Sequence, residues 1–186
     1  MTDPSKIATL VLDSRPLSGA QTPIEYFREI NTAKTWRSNL THVCGLIAEN
    51  PKLRNHFHTI WTECGHHIRE QYGDDNTLAE LLWMLLPSYD GPDITLYRGE
   101  NLDRWERYHL GFCWTPRMDK AKMFGSGLNA VERGGVLLRC VVRKEAIICG
   151  PAPHSVYLDE HEVTVDPSRL ENVEEIERYG PSSALM

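Results

Sequence analysis

The run Pro87-Ser88-Tyr89-Asp90-Gly91-Pro92-Asp93 divides this chain into two textures, and that division limits the folds open to it. Before the run, apolar residues recur every three or four positions, the period of a helix with one buried face. After it come short β-forming stretches separated by Gly, Pro and Asp, the pattern of strands and turns. Helices first and sheet second predict an α+β chain. Residues 1–90 form its helical part and 91–186 its β-rich part, within one compact domain. No internal repeat is present.

In the first part, residues 1–20 are polar and mixed and predict a loose lead-in. Thr22-Pro23-Ile24-Glu25 then reads as a helix start, with Thr as N-cap, Pro in the first turn and Glu reaching back. A second helix is expected from about Trp36, with Leu40, Val43 and Ile47 on one stripe. Asn50-Pro51 is read as the cap of a third, which carries Leu53, Phe57, Ile60, Trp61 and Ile68, and Thr77 as the start of a fourth that ends before Pro87. In the second part, strands are expected at 94–97, 111–115, 136–142, 146–149 and 156–165. Short helices are expected at 102–108 and 116–124, the latter capped by Thr115 and stopped by Gly125. Residues 125–135 read as a loop, and 166–179 as a turn followed by an acidic helix or tail.

With 186 residues, 41% hydrophobic and 25% charged, the chain can bury a substantial core. Its longest apolar run, Leu81–Pro87, is too short to span a bilayer, and Met-Thr-Asp-Pro-Ser lacks the basic-then-apolar order of a signal peptide. Both point to a cytoplasmic protein without a membrane partner. Five scattered cysteines, an odd number, fit free thiols in a reducing compartment. His56, His58, Cys64, His66 and His67 scatter around a helix circumference, so no metal site is expected there. A net charge of −6 argues against tight non-specific nucleic-acid binding.

The chemistry gathers in the second part. Read as a strand, Tyr157–Pro167 places Glu160 and Glu162 on one face, and paired carboxylates repel unless water or a cation relieves them. Upstream lie Tyr97-Arg98-Gly99, then Gly111-Phe112-Cys113-Trp114-Thr115-Pro116 followed by Ala121 and Phe124, then the apolar strand 136–142. The order of these elements resembles the ADP-ribosyltransferase superfamily, in its Arg…Ser-Thr-Ser…Glu-x-Glu branch of bacterial toxins and phage enzymes. The likeness covers about 94–170. The middle motif departs from it, with Trp114-Thr115-Pro116 where Ser-Thr-Ser is usual and no clean match for the first Ser.

The resemblance implies a split β-sandwich and NAD+ as co-substrate. Glu162 would be the catalytic carboxylate and Arg98 the anchor for the dinucleotide phosphates, since a guanidinium fork fits phosphate. Gly99 would let backbone approach the ligand, and Thr115 would cap the helix or hold Glu162. Tyr97, Trp114 and Phe124 become candidates to stack on nicotinamide or ribose. Glu160 would face the acceptor, with His161 turned away as a structural residue. The loop Gly150–Ser155 would choose the acceptor, and its Pro-rich sequence offers little aromatic surface. A protein arginine is the first acceptor to consider and a nucleic-acid base the second. Hydrolysis of NAD+ is a third outcome. The setting implied is a toxin, effector or phage-conflict enzyme, with an antitoxin or immunity protein as partner. The departure at Ser-Thr-Ser leaves open a catalytically silent interaction module of the same fold.

Overall fold

The structure is a computed structural model that describes residues 22–182. The lead-in at 1–20 lies outside the described residues. The chain falls into two compact units that meet in sequence between Pro87 and Ser88.

The first unit holds four helices: α1 (Pro23–Thr32), α2 (Trp36–Glu49), α3 (Leu53–Tyr72) and α4 (Asp75–Leu85). At α1 the Thr22 hydroxyl accepts from the Glu25 amide and the Glu25 carboxylate accepts from the Thr22 amide. Two orphan donors of the first turn are thereby satisfied. The predicted stripe on α2 is buried: Leu40, Val43 and Ile47 join Phe27, Ile30, Phe57, Ile60 and Ile68 in the core. Phe57 sits edge-on to Phe27 at 5.8 Å and to Trp36 at 5.9 Å, the packing that aromatic quadrupoles favour.

Two helix starts differ from expectation. Helix α3 begins after Lys52 with no side-chain cap, so Asn50 does not serve. Helix α4 begins at Asp75 because the Asp74 carboxylate accepts from the amides of Asn76 and Thr77, outcompeting Thr77 as cap. Gly73, at φ 74°, supplies the left-handed residue that ends α3. No helix among the described residues is long and apolar enough to cross a membrane. No group of three or more His, Cys, Asp or Glu among them could hold a metal ion.

The second unit is built on two small antiparallel sheets. One has the order β1–β3–β6, with β1 at Ile94–Asn101, β3 at Gly135–Val142 and β6 at Glu174–Tyr179. The other has the order β2–β5–β4, with β2 at Cys113–Trp114, β5 at Val163–Val165 and β4 at Ile147–Cys149. A single bridge ties them: the Tyr97 amide donates to the Thr115 carbonyl at 2.7 Å, and the reverse bond is 2.9 Å. Leu96, Trp114, Leu138, Val142, Ile147, Val163 and Val165 share one core. The helices of this unit are α5 (Leu102–Glu106), α6 (Met118–Ser126) and α7 (Pro153–Tyr157).

Helix α6 lies on glycine. A Cβ at Gly99 would fall 2.2 Å from the Gly125 nitrogen and 2.3 Å from the Ala121 carbonyl, and one at Gly135 would fall 1.9 Å from the Gly125 carbonyl. Gly125 therefore sits inside the helix as a contact residue rather than as its stop, and α6 runs to Ser126.

Two predicted elements are overturned. Residues 156–165 are not one strand: Pro153 opens the short helix α7, and β5 covers only Val163–Val165. Asp159 at φ 58° and His161 at φ 49° bend the intervening chain out of the extended region. Residues 166–179 are not a helix or tail but a 3-10 turn at Pro167–Arg169 followed by β6. Strand β6 lies at a sheet edge and is exposed along its length, so it lacks the apolar alternation of a half-buried strand. Its charges are paired instead, Glu174 with Arg139 and Glu177 with Lys122.

Candidate functional site

Strand alternation places the first pair. Leu96, Arg98 and Glu100 share a face of β1, with Leu96 in the core. The Arg98 Nε donates to the Glu100 carboxylate at 2.7 Å, and its Nη1 donates to the Cys113 carbonyl. The side chains of Arg98 and Glu100 are only 14% and 2% exposed. Glu100 also accepts from the amides of Gly111 and Asn101, each at 3.0 Å, with Arg104 3.6 Å away. Burial alone would raise its pKa, but Arg98 and Arg104 outweigh burial and hold the carboxyl below its usual range. A Cβ at Gly111 would lie 2.1 Å from the Arg98 Nη2, so a larger residue there would displace the guanidinium from this position.

The second pair comes from the turn before β5. Glu160, His161 and Glu162 precede that strand in an irregular segment, so simple strand alternation does not place the two carboxylates. Ser155 organises the segment from beneath. Its carbonyl accepts from the Glu160 amide at 2.9 Å and its hydroxyl accepts from the Glu162 amide at 2.7 Å. The Thr115 hydroxyl donates to the Glu160 carbonyl and accepts from the Arg117 amide at 3.0 Å. Thr115 thus serves the turn and the Glu-x-Glu backbone at once. On the outer side Arg117 pairs with Asp159, and His161 lies 3.3 Å from the same carboxylate.

The two pairs meet at Glu162. Burial pushes its carboxyl up to about 7, and the neighbouring charge of Glu160 acts in the same direction. The nearby Cys113 thiol and the charge of Arg98 pull the other way without cancelling burial. Arg98 feels the same coupling: burial would lower its pKa, but Glu100 foremost, and Glu162 after it, raise it. The Cys113 thiol is pushed well above its ordinary value by burial and by Glu162, so it is a protonated donor. Cys149, buried on the neighbouring strand, is raised to about 12 by burial.

The structure therefore brings Arg98, Thr115, Glu160 and Glu162 into one cluster. The other predicted contacts fare differently. Trp114 is 1% exposed in the core and its Nε1 donates to the Gly111 carbonyl, so its ring has no face for a ligand. Gly99 gives the close approach of α6. Tyr97 contributes its backbone to the bridge between sheets. Phe124 rides on α6, which packs at Gly99 and so against the face of β1 opposite Arg98. The predicted acceptor loop, 150–155, itself carries no Phe, Trp or Tyr, and just beyond it Tyr157 is 85% exposed between exposed Val156 and Leu158.

Sequence reasoning missed Glu100, Gly111, Cys113 and Ser155 as parts of this cluster. Glu100 and Cys113 each stand two residues from a residue it did single out, so strand alternation from Arg98 and Thr115 was the available signal. Compared with known protein families, curated proteins and solved structures, the chain finds no match in any of the three.

Proposed function

We propose that the second unit is a split β-sandwich of the ADP-ribosyltransferase kind and that the chain transfers ADP-ribose from NAD+ to a macromolecular acceptor. The observation that carries this reading is that β2 and the turn after it hold both predicted groups: the Cys113 carbonyl accepts from Arg98 and the Thr115 hydroxyl donates to the carbonyl of Glu160 in the Glu-x-Glu segment. Cleavage breaks the bond between the ribose C1′ and the nicotinamide nitrogen, and that electron pair leaves with nicotinamide. Positive charge develops at C1′, where the ionised carboxylate of Glu162 stabilises it. Arg98 supplies the fixed positive charge for the diphosphate. Thr115 and Ser155 hold the backbone of the Glu-x-Glu segment in place. Glu160 accepts the proton that the incoming acceptor loses.

A protein arginine is the favoured acceptor, because the free-enzyme charge of −6 disfavours a nucleic acid. The exposed Tyr157, three residues before Glu160, supports a partner surface on the acceptor side. A cytoplasmic toxin, effector or phage-conflict enzyme held in check by an antitoxin or immunity protein is the setting that fits.

The engagement of Arg98 favours a second reading. Its Nε and Nη1 are both committed internally, to Glu100 and Cys113, and its Nη2 lies against Gly111. A catalytically silent module that keeps the fold would retain such a structural ion pair. Labelled NAD+ incubated with the protein and a cell lysate separates the readings. Transfer to protein gives label lost with protease, whereas label lost only with nuclease points to a nucleic-acid base. Nicotinamide release without label is hydrolysis, and no release at all leaves the silent module.

A further inference from the structure

Strand β6 leaves one side of its backbone open. It closes the β1–β3–β6 sheet, and among the described residues no backbone hydrogen bond joins it to anything but β3. Its residues are exposed except for half-buried Tyr179. An edge of this kind offers its free amides and carbonyls to another strand. Charges and bulges commonly keep such edges apart, the charges by confronting a second copy with its own sign. Here that repulsion is relieved within the chain, since Glu174 pairs with Arg139, Glu177 with Lys122 and Glu175 with Arg178.

The sequence Glu174-Glu175-Ile176-Glu177-Arg178-Tyr179 is also complementary to itself when turned end for end. In the antiparallel register that matches the whole strand, Glu175 stands opposite the Arg178 of a second copy and Glu174 opposite its Tyr179. Ile176 falls opposite Glu177, so the two isoleucines flank the two-fold axis and no like charges face each other. Opposite residues must share a sheet face, and the bulge provides this. Strand β3 pairs Leu137 with Glu177 and Leu138 with Glu175, which leaves Ile176 as the extra residue. Glu175 and Arg178 thereby fall on one face, where the Arg178 Nε donates to Glu175 at 2.6 Å. In a regular strand their spacing would put them on opposite faces. Ile176, 39% exposed, supplies an apolar centre between the charged flanks. We propose that β6 is a self-association edge: it pairs antiparallel with β6 of a second copy of this chain across a two-fold axis, joining the two β1–β3–β6 sheets into one. The proposal stands apart from the transferase reading and needs nothing from it.

The test is sedimentation velocity of the full chain over a concentration series, with Glu175→Arg, Arg178→Glu and an equal mixture of the two variants. Wild type is expected to show a concentration-dependent dimer. Each variant alone sets like charges opposite each other on both sides of the axis and weakens that dimer by at least about tenfold. The mixture restores it, because the doubly basic edge of one variant then faces the doubly acidic edge of the other. The two side chains are 30% and 52% exposed, so neither change unfolds the monomer, and circular dichroism checks this. Amide hydrogen exchange of wild type gives a second measurement, with protection at 174–179 rising as protein concentration rises. Wild type that stays monomeric with those amides unprotected overturns the proposal. A dimer that both variants leave intact, or a mixture that does not recover, overturns it too. Protection of β6 in a monomeric protein only after cell lysate is added would assign the edge to a strand of another protein, and overturns it as well.

Discussion

The helical unit and the β-rich unit solve the problem of burial in opposite ways. Helices α1 to α4 bury aliphatic and aromatic side chains, and the buried polar residues among them are neutral or weakly basic, Asn39 and His58. Their ion pairs lie nearer the surface: Arg28 in Arg28–Glu63 is more than half exposed, and in Arg69–Asp75 the arginine is covered but the carboxylate is 26% exposed, against 2% for Glu100. The β-rich unit instead buries Glu100, Thr115, Ser155, Thr164 and Asp166, and sets Arg98 and Glu162 beside them. It also holds Tyr108, Glu132, Asp159, His161 and Asn172 at positive φ, whereas Lys34 is the described non-glycine residue of the helical unit that does so. Buried charge and backbone strain persist where the surrounding structure over-determines them, and they gather at working sites. On the proposed reading, the β-rich unit is where the chemistry lies.

The ion pairs offer the sharpest way to break that contrast. Arg98→Ala leaves the buried Glu100 with only Arg104, 3.6 Å away, as a cationic neighbour and is expected to cost about 3 kcal/mol of stability by denaturant titration. Arg98→Ala with Glu100→Gln should recover much of that loss, because no uncompensated charge remains. Next comes the pH dependence of Glu162. Its folded pKa, about 7, lies above its ordinary value of 4.5, so ionisation is resisted by the fold. Below pH 4.5 the group is neutral folded and unfolded and costs nothing. The cost grows as pH rises from 4.5 to 7 and is complete above 7. Glu162→Gln should therefore stabilise the protein at pH 8, by at most about 3 kcal/mol because the side chain is only half-buried, and gain nothing at pH 4. A gain that does not vary with pH would mean that the carboxylate is not strained by burial.

Glycine separates the units a third time. Gly99→Ala forces α6 off the sheet and should cost about 1–3 kcal/mol in thermal unfolding. Gly45→Ala, within α2 and with no atom near the new methyl, should instead stabilise by up to about 1 kcal/mol. The smallest effect is expected at the surface pair, where Arg28→Ala should cost less than about 1 kcal/mol.

Much of this arrangement was legible in the sequence. The Thr22 capping box and the stripe Leu40, Val43, Ile47 follow from local rules that tertiary packing did not override. The resemblance singled out Arg98, Thr115 and the Glu160–Glu162 pair, residues that lie near one another in the structure. The routes by which they meet were not legible. Strand alternation was extended through Glu160–Glu162, but positive φ at Asp159 and His161 ends it, a property that no apolar pattern reports. Strand β6 was hidden because its cohesion comes from paired charges and one neighbouring strand rather than a buried face. Trp114 was read by its aromatic chemistry, whereas its register opposite Val163 sends it into the core. Cys113 was read only as one of five free thiols, because no local pattern reports its nearness to a carboxylate distant in sequence.

The central claim is that the Glu162 carboxylate, held beside Arg98, is what drives the loss of nicotinamide from NAD+. Nicotinamide released by wild type and by Glu162→Gln at pH 8, where the wild-type carboxylate is ionised, tests it most directly. The account predicts steady release by wild type and a fall of about a thousandfold in a variant whose circular dichroism is unchanged. Release by Glu162→Gln at the wild-type rate would contradict it.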